Sequence, residues 1–124
     1  MKRCIKSKEA PVLDLPLSPA VEKKGIVFVS GQVGVDPATG KVKEGFEEQT
    51  RQTLENMIKL VEEAGGTKDD IVKVQAYLTD IEMFPEFNKI YGEYFNENPP
   101  ARSCFQVKLV EPYIFEAEAV AILD

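Results

Sequence analysis

A chain of 124 residues, 44% hydrophobic and 29% charged, has the size and composition of one globular domain able to bury a real core. Its formal net charge of −6, with no basic run longer than Lys2-Arg3 or Lys23-Lys24, opposes binding to a phosphate backbone. The absence of histidine excludes a Ser-His-Asp triad, a Cys-His dyad and the commonest zinc ligand.

No apolar run approaches the roughly 20 residues that span a bilayer. Met1 to Lys8 is mixed and charged, so neither a signal peptide nor a membrane partner is expected, and the cytoplasm is the expected location. Two cysteines, Cys4 and Cys104, make no disulfide framework. There is no CxxC pair, no GxxxxGK[ST] and no GxGxxG. Any catalysis must therefore run on carboxylates, Arg, Lys, Tyr, Cys, backbone amides or bound water.

Along the chain, Lys2 to Ile5 reads as a short strand. Ala10 to Pro19 carries three prolines and reads as an extended loop. The β-rich run Ile26 to Val29 predicts a buried strand that ends at Ser30-Gly31-Gln32. Asp36-Pro37-Ala38-Thr39-Gly40 is a turn signal. From Phe46 to Ala64, apolar positions recur at three- and four-residue steps opposite a face of Glu, Lys and Arg. That is an amphipathic helix, stopped by Gly65-Gly66. Ile71 to Thr79 predicts a strand. Pro85 to Phe95 predicts a second helix, whose stripe of Phe84, Phe87, Ile90, Tyr91, Tyr94 and Phe95 reads as core packing. Asn96 to Pro100 breaks it, and Arg102 to Leu109 and Ile114 to Leu123 predict two more strands. The order implies a single α/β domain over residues 1–124, with two helices on one mixed sheet.

Few residues suit chemistry. On a strand, Arg102 and Cys104 share a face, and Ser103 points the other way. Arg102 is either a clamp for a carboxylate or a surface ion-pair partner. Cys104 reads as a buried small hydrophobe, with a nucleophile as the less favoured alternative. Glu116 and Glu118 interrupt an otherwise apolar strand, and a buried carboxylate is expensive unless paired or used. Glu118, deeper in the run, is the favoured acid or base. Ser30 and Gly31 either hold an anionic oxygen or form a plain strand end. Asn88 lies within the second helix, where Asn is mildly unfavourable and usually solvated.

Taken together, these segments resemble the RidA (YjgF) family of reactive intermediate/imine deaminases. IVFVSGQ at residues 26–32, with Asp36-Pro37 and Gly40 behind it, is similar to that family's SGQ strand and DP-x-TG turn. PARSC at 100–104 resembles its most specific signature, FEAEAVA at 115–121 resembles its closing strand, and Ala10-Pro11 also fits. The resemblance covers essentially the whole chain. It implies a chorismate-mutase-like fold of two helices on one mixed six-stranded sheet, and homotrimers with ligand sites between subunits. It implies hydrolysis of 2-imino acids and their enamine tautomers, such as 2-aminoacrylate, to 2-keto acids and ammonia, with neither cofactor nor metal. Arg102 matches the arginine that binds the substrate carboxylate, and Glu118 the glutamate that activates water. Ser30, Gly31, Asn88 and Cys104 match residues lining the pocket.

One segment departs from the pattern. Where the family reads GPYSQA, this chain has Leu15-Pro16-Leu17-Ser18-Pro19-Ala20, so Leu17 stands in the place of the pocket tyrosine. That loses a phenolic hydroxyl and makes the pocket more apolar. It implies either a preference for bulkier imines or a weakened activity. The alternative functions are a regulatory trimer that binds keto acids without turnover and, opposed by charge and the missing histidine, an endoribonuclease or translation inhibitor.

Overall fold

The structure is a computed structural model that describes residues 1–10 and 14–124. Pro11, part of the expected loop and of the Ala10-Pro11 match, lies outside the described residues. Eight regular elements run β1 (Arg3–Ile5), β2 (Ala20–Lys23), β3 (Ile26–Val33), α1 (Phe46–Glu63), β4 (Ile71–Leu78), α2 (Phe84–Tyr94), β5 (Ala101–Gln106) and β6 (Phe115–Ile122). The strands form one six-stranded sheet in the order β1-β2-β3-β6-β4-β5. β4 and β5 run parallel, and every other neighbouring pair is antiparallel. This is the expected architecture of two helices on one mixed sheet.

Beyond one-residue shifts at element ends, three features differ from the sequence reading, each for a local reason. Ser30-Gly31-Gln32 does not end β3. The strand bulges between Val29 and Gln32 and pairs again through Val33 with Glu116. β5 stops at Gln106 rather than Leu109 because its parallel partner β4 stops at Leu78. The strand β2 was not expected after the prolines. Lys24 and Gly25, with φ of 53° and 81°, turn it tightly into β3.

The core lies between the helices and one sheet face. In β6 the odd positions Phe115, Ala117, Ala119 and Ala121 are buried against the helices, so the even positions, Glu116 and Glu118 among them, face the other way. Leu54, Met57, Leu60 and Val61 of α1 are fully buried. Their spacing is the stripe seen in the sequence. α1 ends as its glycines direct. Gly65, at φ 106°, donates to Glu62, and Gly66 donates to Val61 at 3.0 Å. Among the described residues, no helix is long and apolar enough to cross a membrane.

One buried polar side chain fixes a loop that matters below. Gln49 of α1 donates to the carbonyls of Lys43 and Pro112, both at 3.1 Å, and accepts from the Ile114 amide at 2.9 Å. It thereby ties the segment before β6 to the helix. Gly34 makes room for it, since a Cβ there would stand 2.7 Å from the Gln49 Cα. Gln49→Ala strands three backbone groups and should cost about 2–4 kcal/mol, read as a lower denaturation midpoint at unchanged slope.

Candidate active site

On the sheet face away from the helices, an open cavity of about 520 Å³ is lined by Leu15, Leu17, Ser30, Gly31, Val33, Val110, Tyr113 and Glu116. The β3 bulge builds its floor by leaving Ser30 and Gly31 without partners in the register with β6. The Ser30 amide and hydroxyl are turned to the preceding loop, donating to Pro19 at 2.9 Å and Ser18 at 2.6 Å. Val110 and Tyr113 come from the segment held by Gln49. Leu15, Leu17, Val33 and Val110 make the wall mostly apolar. A second hollow, of about 590 Å³ beside Lys6 to Glu9 and Glu63, is lined by none of the candidate residues.

Glu116 is the carboxylate of the cavity. It is half-buried, and burial first, then the neighbouring charge of Glu118, raises its pKa above the ordinary carboxylate range. Gly31 stands directly against it. A Cβ at position 31 would collide with Oε2 of Glu116 and lie 3.0 Å from its Cδ. Gly31 has no positive φ, so space rather than backbone conformation requires the glycine. Gly31→Ala should therefore displace the carboxylate while sparing the fold. The expected result is a loss of roughly ten- to a hundredfold in turnover with thermal unfolding near wild type.

Glu118 lies on the same sheet face but outside the cavity lining. Its Oε1 accepts from the Tyr77 hydroxyl at 2.6 Å. That phenol is pushed up to about 12 by burial, then by its bond to Glu118 and the nearby carboxylate charges. Glu118 is thus the engaged carboxylate, and Glu116 the one presented to the cavity.

Arg102 is on the opposite face. It pairs in register with the buried Val74 and so points to the helix side. Its Cζ lies 4.9 Å from the ring centroids of Phe87 and Tyr91 and 5.6 Å from that of Phe84. Cys104 shares this face and packs against the core. Burial raises its thiol pKa, with only partial opposition from Arg102, which is the setting of an inert thiol. Asn88 is exposed on α2, four residues after Phe84 and three before Tyr91, so it flanks the same aromatic stripe.

The sequence-selected residues thus fall into two groups. Leu17, Ser30 and Gly31 gather with Glu116 on one side of the sheet. Arg102, Asn88 and Cys104 gather on the other. Sequence reasoning missed Val33, Val110 and Tyr113 as cavity walls, and Tyr77 as the partner of Glu118. Those cavity walls depend on a bulge and a pinned loop that carry no local motif. Among the described residues, no three His, Cys, Asp or Glu side chains converge as a set that could hold a metal.

The sequence model of the family described as Endoribonuclease L-PSP matches residues 7–123. A "RutC family protein" of Aquifex aeolicus is 48% identical over 108 residues, covering 86% of each chain. The Escherichia coli protein named "Putative reactive intermediate deaminase TdcF" is 36% identical over 98% of each chain. The crystal structure of Escherichia coli TdcF with bound serine superposes with a TM-score of 0.94 at 33% identity, covering 98% of this chain and 99% of that one. That of RidA from an Antarctic Psychrobacter gives 0.94 at 34% identity, again covering 98% and 99%. With the matching fold and the near-complete coverage, the chain belongs to the RidA (YjgF) family, the Endoribonuclease L-PSP family of that model.

Proposed function

We propose that this protein hydrolyses 2-imino acids and their enamine tautomers to 2-keto acids and ammonia, as a homotrimer whose sites lie between subunits. The observation that carries the reading is a pair of complementary half-sites on opposite faces of one sheet. One is an arginine that, among the described residues, holds no carboxylate. The other is a cavity holding a carboxylate of raised pKa. They cannot meet on one copy, but a face of one chain laid against the other face of a second brings them together. Ile26, Phe28, Phe105 and Ile122 are 37–56% exposed on the face that carries Glu116, an apolar surface suited to a second copy.

In such a cleft the Arg102 guanidinium grips the substrate carboxylate through parallel hydrogen bonds. The C2 carbon of a protonated imine is already electrophilic. Glu116, rather than Glu118, takes a proton from a water as its oxygen adds to C2. It returns that proton to nitrogen, then takes the remaining hydroxyl proton as the C–N bond breaks, leaving the C2 carbonyl, and passes it to the departing ammonia, which leaves as ammonium. A carboxyl whose pKa is raised by burial is a stronger base than an exposed one, which suits the first transfer. Leu17 and its apolar neighbours face the substrate side chain. The serine bound to TdcF carries the same α-carboxylate that Arg102 would hold.

The test is release of ammonia and keto acid from 2-iminobutyrate and 2-iminoleucine, freshly made by an L-amino-acid oxidase. Turnover above the spontaneous rate is expected for both. A protein that binds 2-ketobutyrate saturably and turns over neither imine would instead be a ligand-binding regulator.

A further inference from the structure

The chain has three arginines, and two of them are paired with acids. Arg3 binds Glu22 at 3.0 Å, and Arg51 binds Glu47 and Glu93 at 3.0 Å. Among the described residues, Arg102 has no carboxylate within 4.0 Å and makes no side-chain hydrogen bond. What it has instead is three rings from one helix face, Phe84, Phe87 and Tyr91, at positions i, i+3 and i+7 of α2. A carboxylate partner would engage the N–H donors at the guanidinium rim. Ring faces attract the cation through their quadrupole and accept from none of those donors in the usual way. The rings are themselves fixed. Phe87 packs on Phe115 and on Tyr91 with centroids 5.3 Å apart in each case, and Tyr91 packs on Phe95 at 4.7 Å. Among the described residues the buried Tyr91 hydroxyl has no hydrogen-bond partner, so its ring is placed by packing and by the cation.

We infer that Phe84, Phe87 and Tyr91 are positioning residues, an aromatic seat that holds the Arg102 guanidinium in place while leaving its donors open to the carboxylate of a 2-imino or 2-keto acid. This rests on the reading of Arg102 as the carboxylate clamp. The stripe on α2 is then more than core packing. It replaces the acidic partner that an arginine half-buried at a sheet edge would otherwise take. A carboxylate in that partner's place would compete directly with substrate.

The experiment is titration calorimetry with 2-ketobutyrate on the intact protein, with imine turnover beside it. Phe84→Leu is the cleanest variant because Phe84 is 36% exposed and its loss leaves the core nearly intact. Phe84→Leu and Tyr91→Leu should each raise Kd and KM by about three- to tenfold with kcat changed much less, since a looser clamp weakens substrate and transition state alike. Tyr91→Phe, which keeps the ring and removes only the unpartnered hydroxyl, should restore the wild-type Kd. Phe95→Leu, which removes only the packing behind Tyr91 and no ring over Arg102, should raise Kd less than Tyr91→Leu does. Wild-type Kd in folded Phe84→Leu overturns the seat, as does a Phe95→Leu effect equal to that of Tyr91→Leu. If Arg102→Ala binds 2-ketobutyrate as wild type does, or wild type does not bind it, the clamp reading itself falls and the seat with it.

Discussion

Arg102→Ala should lower kcat/KM for an imino acid by about a hundred- to a thousandfold while the chain stays folded. The size follows from losing a charge-assisted, two-point grip on a carboxylate in a partly desolvated cleft, worth about 3–4 kcal/mol. The stability follows from what Arg102 does not do. It holds no ion pair and no side-chain hydrogen bond among the described residues, so its removal loses only contact with the α2 rings, about 1 kcal/mol. Arg102→Lys separates charge from shape. An ammonium keeps the charge and loses the planar fork, so it should retain only a small part of the activity. A lysine variant with full activity would remove the two-point clamp. Kinetics with 2-iminobutyrate, run beside thermal unfolding, reads both halves.

Glu116→Gln should reduce kcat by about a hundred- to ten-thousandfold and stabilise the fold at neutral pH. The near-isosteric amide keeps the cavity's shape and removes the proton acceptor. The stability effect has a definite sign. Burial raises the folded-state pKa of Glu116 above its unfolded value, so the folded chain binds this proton more tightly. Its contribution to stability is full below the unfolded pKa and is lost as pH rises through the folded one. As pH rises toward 7 the wild type increasingly bears the cost of a half-buried carboxylate, and the glutamine does not. The gain in melting temperature should shrink toward acid pH, where wild-type Glu116 is protonated. Denaturation of both proteins from pH 4 to 8 checks this, and a gap that widens on acidification would contradict it. Glu118→Gln is the comparison. Its carboxylate answers to Tyr77 outside the cavity, so the same change there should affect turnover far less.

Much of the architecture was legible because the two periods that specify it are clean. α1 alternates apolar and charged residues at helical spacing and stops at two glycines. β6 alternates small apolar residues with glutamates at a period of two. What the alternation could not decide was which glutamate matters. Glu116 and Glu118 share a face, and only cross-strand placement separates them. Glu116 sits beside Val33 and the bulge, whereas Glu118 falls within reach of the Tyr77 hydroxyl. The bulge itself was hidden. Ser30-Gly31-Gln32 looks like a strand end by composition, yet the chain pairs again at Gln32 and Val33. The cavity wall at Val110 and Tyr113 was equally out of reach, since it depends on Gln49, more than sixty residues earlier, gripping both Pro112 and Ile114. The division of Arg102 from Glu116 across the sheet needed the strand order, which no local pattern carries.

The central claim, that a working site joins Arg102 of one subunit to Glu116 of another, is tested most directly by mixing two dead proteins. Arg102→Ala and Glu116→Gln are each purified, combined in equal amounts, partly unfolded and refolded together to exchange subunits. In random trimers with one interface per site, about a quarter of sites receive both native residues, so activity should return to about a quarter of wild type. If each site lies within one chain, every site lacks one residue. A mixture that exchanges subunits and stays inactive would contradict the account.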